Sequence, residues 1–373
     1  MATSTATIPS GTSSNTEETG LADDRADPIS AFAERLLANV ENVIADLDPP
    51  SMSFSFGPLI VEFRIVADVY RRRLTQAIEF ARFLEPSLID SAWRIMAVDG
   101  AVNGVGTPPE WRFRITNSRH LERLHQTDDQ QLSIRYDPTT LTWSAVFRAR
   151  RLAFVWTANA AQLPDWDDSA PCRDLFNWMT LSTECFLAHA ATIGINGKGV
   201  LLTGPSGSGK STTAAAAALS GLVTTGDDFI LVDPRSAQAY ALYDSLKLDS
   251  RSSEWLPEMA SHAVNAVGEA SPKCRVHLAR SYPLAFVRRL PINAILLPRT
   301  DRAAKTTISP ATAAEAMRAL VPSTICLVRG GEAETIRKST SFVRKMPAYH
   351  CDLGPNPREA VAIISAFITN LPT

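Results

Sequence analysis

The stretch of sequence that decides the fold reads Gly204-Pro205-Ser206-Gly207-Ser208-Gly209-Lys210-Ser211. It matches every defined position of the phosphate-binding pattern G-x-x-x-x-G-K-[ST]. Residues 200–203 before it are typical of a short buried strand, and the alanines at 214–218 after it favour a helix. The pattern therefore predicts a strand, a glycine-rich loop and a helix whose N-terminus faces an anion.

The residues of this loop have separate expected roles. Its glycines permit backbone angles at which successive N–H groups converge on phosphate oxygens. Lys210 is expected to reach the β- and γ-phosphates, and the Ser211 hydroxyl to bind Mg²⁺. A glycine-rich turn without a ligand is the alternative. The intact order of strand, loop and helix favours ATP and Mg²⁺, with the nucleotide held by Gly204, Pro205, Ser206, Gly207, Ser208, Gly209, Lys210, Ser211 and Thr212.

The composition is that of a globular protein without a basic surface. The chain has 373 residues, enough for two domains, with 20% charged and 45% hydrophobic residues. A formal net charge of −2 argues against a nucleic-acid partner. No stretch approaches the ~18 apolar residues of a membrane helix, so no membrane partner is expected.

The cysteines and the N-terminal residues indicate the compartment. The five cysteines are far apart and form no C-x-x-C pair, which predicts a reducing, cytoplasmic location and no metal site built on cysteine. Residues 1–20 are rich in Ser, Thr and Glu and lack the basic start and apolar core of a secretory signal. We expect residues 1–28 to form a disordered tail.

The rest of the chain divides by its pattern of apolar residues. Residues 29–162 predict a smaller α+β N-terminal module, with an amphipathic helix at 29–47, a helix at about 69–83 and strands at 59–66, 111–115, 132–136 and 141–147. Residues 163–373 predict an α/β domain because short apolar strands alternate with helices. Its strands are expected at 200–203, 222–226, 230–232 and 292–297, and its helices at 211–220, after Pro310, at 333–345 and at 357–369.

Asp227-Asp228 is the second informative feature. A helix over 211–220 runs about 15 Å away from the phosphates at ~1.5 Å per residue, and a strand over 222–226 returns about 16 Å at ~3.3 Å per residue. Adjacent side chains at a strand end point to opposite sides. One carboxylate is therefore expected to bind Mg²⁺ and the other to accept the proton of an attacking hydroxyl, unless the pair is a solvated turn.

His189 is the third feature. Asn196-Gly197 predicts a two-residue hairpin in which Ile195 pairs with Lys198, and this register sets His189 opposite Gly204. We expect His189 to hold one of the aspartates, the alternative being an ordinary core histidine. His120, His125, His262, His277 and His350 are interpreted as structural. Cations in 243–247 and 273–275 are candidates for phosphate or acceptor contacts or for solvated surface, and spacing does not decide between these roles.

Together these residues carry a family resemblance. Gly204 follows His189 by 15 residues, and Asp227-Asp228 follow Lys210 by 17 and 18, with Gly221 between. This arrangement resembles the catalytic core of the HPr kinase/phosphorylase family. The resemblance implies a C-terminal P-loop kinase core similar to that of phosphoenolpyruvate carboxykinases. It implies that Asp227 is the base with His189 as its partner, that Lys210 serves the phosphates, and that Ser211 and Asp228 hold the metal.

Two departures from the family indicate a divergent branch. Thr212 stands where the family usually has Glu, and its later Glu-Ile-Arg-Gly-Leu-Gly segment is not found. The chain is more similar to HPr-kinase-related proteins, some of which phosphorylate serine in ribosomally made peptides such as lasso precursors. The expected function is an ATP- and Mg²⁺-dependent serine kinase acting on a protein or peptide, and a homo-oligomer is compatible with it. A regulatory ATPase and a small-molecule kinase are the alternatives.

Overall fold

A computed structural model describes residues 28–83, 92–113, 123–127, 131–165, 167–268, 271–300 and 304–372. Over these ranges the chain forms two large mixed β-sheets with helices packed on them, so the predicted α/β class is confirmed. Residues 1–27 of the expected tail, residues 114–115 of an expected strand and His120 lie outside the described residues.

The first sheet is formed by the N-terminal half. Its strand order is β3-β1-β2-β4-β8-β7-β6-β5, and only the pairs β2–β4 and β4–β8 are parallel. A helix, α1 (Pro28–Leu47), buries Leu36, Leu37 and Val40 in the same core as Trp143 and Phe154 of the sheet. The strands are β1 (Ser51–Phe56), β2 (Leu59–Ile65), β3 (Arg82–Phe83), β4 (Trp93–Asp99), β5 (Arg123–Gln126), β6 (Leu132–Asp137), β7 (Thr142–Phe147) and β8 (Leu152–Thr157).

Two predictions in this half are wrong. The helix expected at 69–83 ends early as α2 (Asp68–Thr75), because residues 82 and 83 pair with Phe54 and Ser53 of β1 instead of continuing a helix. The strand expected from Trp111 is absent over 111–113. There the Trp111 indole donates to the Phe113 carbonyl at 2.9 Å and stacks on Trp143, so local contacts replace a strand ladder.

The second sheet carries the phosphate loop. Its order is β15-β12-β11-β9-β10-β16-β18-β17, with β10–β16 and β16–β18 parallel. The predicted hairpin is confirmed: Ile195 pairs with Lys198, and Asn196 and Gly197 have φ of 52° and 76°, as a tight primed turn requires. The strands are β9 (Phe186–Ile195), β10 (Lys198–Thr203), β11 (Phe229–Asp233), β12 (Gln238–Ala241), β15 (Arg289–Pro291), β16 (Ala294–Arg299), β17 (Thr307–Ala311) and β18 (Ala348–Asp352).

The other elements described in the C-terminal half are a short ladder and several helices. A separate two-stranded ladder joins β13 (Ser245–Leu248) to β14 (Cys274–His277). The helices are α3 (Arg173–Thr180), α4 (Lys210–Leu219), α5 (Ser250–Trp255), α6 (Pro257–Ala260), α7 (Leu278–Ser281), α8 (Ala313–Ile325), α9 (Glu332–Val343) and α10 (Pro357–Thr369). The alanine face of α4 shares a core with Ile364 of α10, which fixes the helix behind the loop. The predicted helices at 211–220, 333–345 and 357–369 are confirmed within one or two residues.

The strand expected at 222–226 is wrong. Val223 and Thr224 make only isolated bridges, and the strand begins after the aspartates, at Phe229. Gly226 has a φ of 131° and Asp228 a φ of 73°, angles that a regular strand does not contain. Backbone bonds from Ala190 to Asp228 (3.1 Å) and from Thr192 to Gly226 (3.3 Å) still hold this segment along β9.

Candidate functional site

The glycine-rich loop joins β10 to α4, as predicted. Gly207 and Gly209 have φ of 80° and 99°, a region that side chains with a Cβ rarely adopt. At Gly209 a Cβ would also lie 2.6 Å from Cδ1 of Leu353, whereas at Gly207 it would meet open space. The chain therefore needs glycine at 209 for two reasons, and the turn delivers the backbone into the N-terminus of α4.

Lys210 lies inside the loop. Its Nζ donates to the carbonyls of Gly204 at 2.8 Å and Pro205 at 3.1 Å, and the side chain is buried. An ammonium group has three N–H donors, so these bonds hold it over the loop and leave one donor for an anion. Burial lowers the pKa of Lys210, while the charges of Asp227 and Asp228 raise it.

Asp227 is buried beneath the loop. Only 1% of it is exposed, and neither carboxylate oxygen has a partner at hydrogen-bonding distance among the described residues. Burial raises the pKa of Asp227, as does the Asp228 charge; the Ser211 hydroxyl and the Lys210 ammonium oppose this shift. A buried carboxylate with free acceptors beside a hydroxyl and a cation is a chemically suitable half-site for a divalent cation.

Asp228 faces the opposite way, into a cavity. Its carboxylate lies 3.3 Å from Nε2 of His189 and 2.5 Å from Nζ of Lys247. Burial by itself would raise the pKa of Asp228, but the Lys247 ammonium, together with His189, holds it well below its usual range. Asp228 is therefore a carboxylate that stays ionised where a ligand can contact it.

The aspartate that His189 contacts differs from the one expected. The family resemblance implies that His189 is the partner of Asp227. In the structure, however, the His189 ring contacts Asp228. His189 lies opposite Phe229 in the β9–β11 register, and the left-handed backbone of Asp228 interrupts the regular alternation of side chains just before that strand. The register therefore predicts the position of His189 correctly, while the choice of aspartate depended on a backbone irregularity.

A cavity of about 810 Å³ brings the predicted residues together. The predicted residues that line it are His189, Ser206, Gly207, Gly209, Lys210, Ser211, Thr212 and Asp228. Asp227 does not line it. Gly204, Pro205 and Ser208 line a second cavity of about 560 Å³, which Ser206 and Gly207 also border. The loop thus lies between two cavities, and of the two predicted aspartates only Asp228 lines either of them.

Several lining residues carry no sequence motif. Lys247 and Lys273, whose roles the sequence left open, line the first cavity, whereas Arg275 is turned away and donates to the Asp165 carbonyl at 2.8 Å. Asp249, Arg251 and Trp255 were not predicted. The other apolar side chains of the lining were not predicted either; they are Ala304, Leu353, Pro355, Pro357 and Ala360. No spacing relates these residues to the loop, because long-range folding brings them there.

No protein-family model matches the chain, and no curated protein matches it significantly.

The described ranges contain no group of three or more His, Cys, Asp or Glu side chains arranged to hold a metal ion. They also contain no helix that is long and apolar enough to cross a membrane.

Proposed function

We propose that this chain is an ATP- and Mg²⁺-dependent kinase that transfers the γ-phosphoryl group to a serine or similar hydroxyl of a protein or peptide. One observation carries the proposal. Five residues of the phosphate loop, Ser206, Gly207, Gly209, Lys210 and Ser211, line the same cavity as the ionised, partly exposed carboxylate of Asp228. A phosphoryl donor and an acceptor hydroxyl must meet in this way before transfer can occur.

Binding of the phosphoryl donor, ATP, is assigned to the glycine-rich loop. The backbone N–H groups at the N-terminus of α4 point at an anion, and the free donor of Lys210 reaches the β- and γ-phosphate oxygens. Ser211 and Asp227 are the residues assigned to the metal, with phosphate oxygens and water completing the shell, since Mg²⁺ retains water and needs few protein ligands. The bound Mg²⁺ would neutralise charge on the β- and γ-oxygens.

Activation of the hydroxyl that accepts the phosphoryl group is assigned to Asp228. Its carboxylate orients the acceptor hydroxyl and takes its proton as the oxygen attacks the γ-phosphorus. The bond from that phosphorus to the bridging oxygen breaks, and ADP leaves. A carboxylate with a lowered pKa is a weak base, which suits a loose transition state in which the proton leaves late. His189 and Lys247 act as positioning residues because both hold the Asp228 carboxylate.

This assignment exchanges the roles that the family resemblance implies for the two aspartates. Asp227 becomes the carboxylate on the metal side because it is buried, its oxygens are unpartnered among the described residues, and the Ser211 hydroxyl lowers its pKa. Asp228 becomes the acceptor-side residue because it lines the cavity. Membership of an HPr-kinase-related family remains part of the proposal and rests on the spacing of His189, the loop and the aspartates.

The test is transfer of label from γ-labelled ATP to serine-bearing peptides and proteins in the presence of Mg²⁺. Wild type is expected to label an acceptor on serine, and Lys210→Met to lose at least tenfold in ATP affinity, since a charge-assisted bond contributes about 1.5–3 kcal/mol. Release of label solely as free phosphate with all acceptors would favour the regulatory ATPase. Labelling confined to small hydroxyl compounds would favour the small-molecule kinase.

A further inference from the structure

Trp255 is the large aromatic side chain of the site cavity. It is 39% exposed, in contrast to Trp143 and Trp178, which are fully buried. It lies at the C-terminal end of α5 and lines the same cavity as the phosphate loop. Burying an indole normally stabilises the fold by a few kcal/mol, so an indole left open at a site is a common feature of ligand recognition.

A hydrogen bond ties the helix that carries Trp255 to the loop. The hydroxyls of Thr212 and Ser252 lie 2.7 Å apart, and Thr212 follows directly after Lys210 and Ser211. Ser252 and Trp255 are three residues apart on α5, so their Cβ atoms are about 5–6 Å apart on one side of the helix. Trp255 is therefore connected to the phosphate loop through Ser252 and Thr212, and it lines the same cavity.

The surroundings of Trp255 suit a flat heterocycle. The guanidinium carbon of Arg251 lies 4.4 Å from the centroid of the Trp255 ring, and both side chains line the cavity. Pro355 and Pro357 line the same cavity from the segment that starts α10. Arg358, next in the chain, pairs with Glu258 at 2.6 Å, three residues after Trp255, and so keeps the two apolar segments together.

We infer that Trp255 is the platform on which the nucleobase of the phosphoryl donor stacks, so that the donor is a nucleoside triphosphate and not inorganic polyphosphate. The inference rests on the proposed function, because it places the phosphates of that nucleotide in the loop. Lys210 and Asp228 take the triphosphate and the acceptor, respectively. Trp255 takes the base by stacking, which tolerates different bases since each has a π-face.

The test compares two probes on the full chain by calorimetric titration, MgATP and magnesium tripolyphosphate. Trp255→Ala is expected to weaken MgATP binding about 5- to 150-fold, the effect of losing one base–aromatic stack. The affinity for tripolyphosphate is expected to change less than about twofold. Trp255→Phe, which keeps an aromatic face, should restore most of the MgATP affinity. Glu254→Ala is the matched control, because Glu254 is exposed on the same helix and does not line the cavity.

The outcomes separate this inference from the proposed function. Equal weakening of both probes by Trp255→Ala, or no weakening of either, would overturn the base platform while leaving the phosphate loop in place. Failure of wild type to bind either probe would overturn the proposed function and the platform with it. Tryptophan emission is a second readout that needs no alanine variant. MgATP should quench it in wild type but not in Trp255→Phe, and quenching that persists in Trp255→Phe would contradict the inference.

Discussion

Replacing Gly209 by alanine perturbs the loop in two ways that the structure separates. At a φ of 99° a residue with a Cβ is strained by about 1–2 kcal/mol. The new Cβ would also lie 2.6 Å from Cδ1 of Leu353, so the end of that side chain must shift; because Leu353 lines the cavity, we take about 1 kcal/mol, the low end of the cost of overpacking a core. The smaller conformational entropy of the unfolded variant offsets about 0.4–1 kcal/mol. We therefore expect Gly209→Ala to lower the free energy of unfolding by about 2 kcal/mol.

Gly207→Ala is the matched control for this prediction. Its φ is 80°, but its Cβ would meet open space, so only the backbone cost applies, about 1 kcal/mol after the unfolded-state gain. Both values are measured by denaturant unfolding followed by circular dichroism. A double-mutant cycle with Leu353→Ala should recover about 1 kcal/mol of coupling with Gly209→Ala and none with Gly207→Ala. Equal destabilisation by both glycine substitutions would refute the steric argument.

Two further predictions concern the charges of the site. Asp227 has a raised pKa in the fold, so its ionisation destabilises the native state as pH rises from about 3.8 through the folded pKa. Asp227→Asn should therefore raise the thermal midpoint at pH 7 without Mg²⁺, with the gain shrinking towards pH 4; an unchanged or lower midpoint at pH 7 would contradict this. Lys247 is the main cause of the lowered pKa of Asp228, so Lys247→Met should move the acid limb of the kcat/KM profile to higher pH, whereas Lys273→Met should leave it in place.

The loop and the position of His189 could be predicted from sequence because both follow from local rules. The pattern at 204–211 encodes its own strand, turn and helix, and Asn196-Gly197 encodes the hairpin whose register carries His189. Counting residues also brought Asp227-Asp228 back to the loop. The predicted position of the two aspartates is correct, but the predicted strand over 222–226 is not. The chain returns to the loop in an irregular segment that runs along β9.

Which of the two aspartates contacts His189 could not be predicted, because it depends on positive φ angles at Gly226 and Asp228 that propensity does not encode. The cavity wall is a second example. Lys247 reaches Asp228 from β13 and Trp255 reaches the cavity from α5, and their placement follows from the packing of the β13–β14 ladder on α4. Long-range packing of this kind has no signature in residue spacing.

The central claim is that the two carboxylates have different roles: Asp227 helps to bind Mg²⁺, and Asp228 activates the acceptor hydroxyl. The most direct measurement is the Mg²⁺ dependence of γ-phosphoryl transfer in Asp227→Asn and Asp228→Asn. We predict that Asp227→Asn raises the Mg²⁺ concentration needed for half-maximal rate. Asp228→Asn should lower the rate at saturating Mg²⁺ by at least 100-fold, within the range for lost acid–base catalysis, without shifting that concentration. The opposite pattern, a Mg²⁺ shift in Asp228→Asn alone, would contradict the assignment.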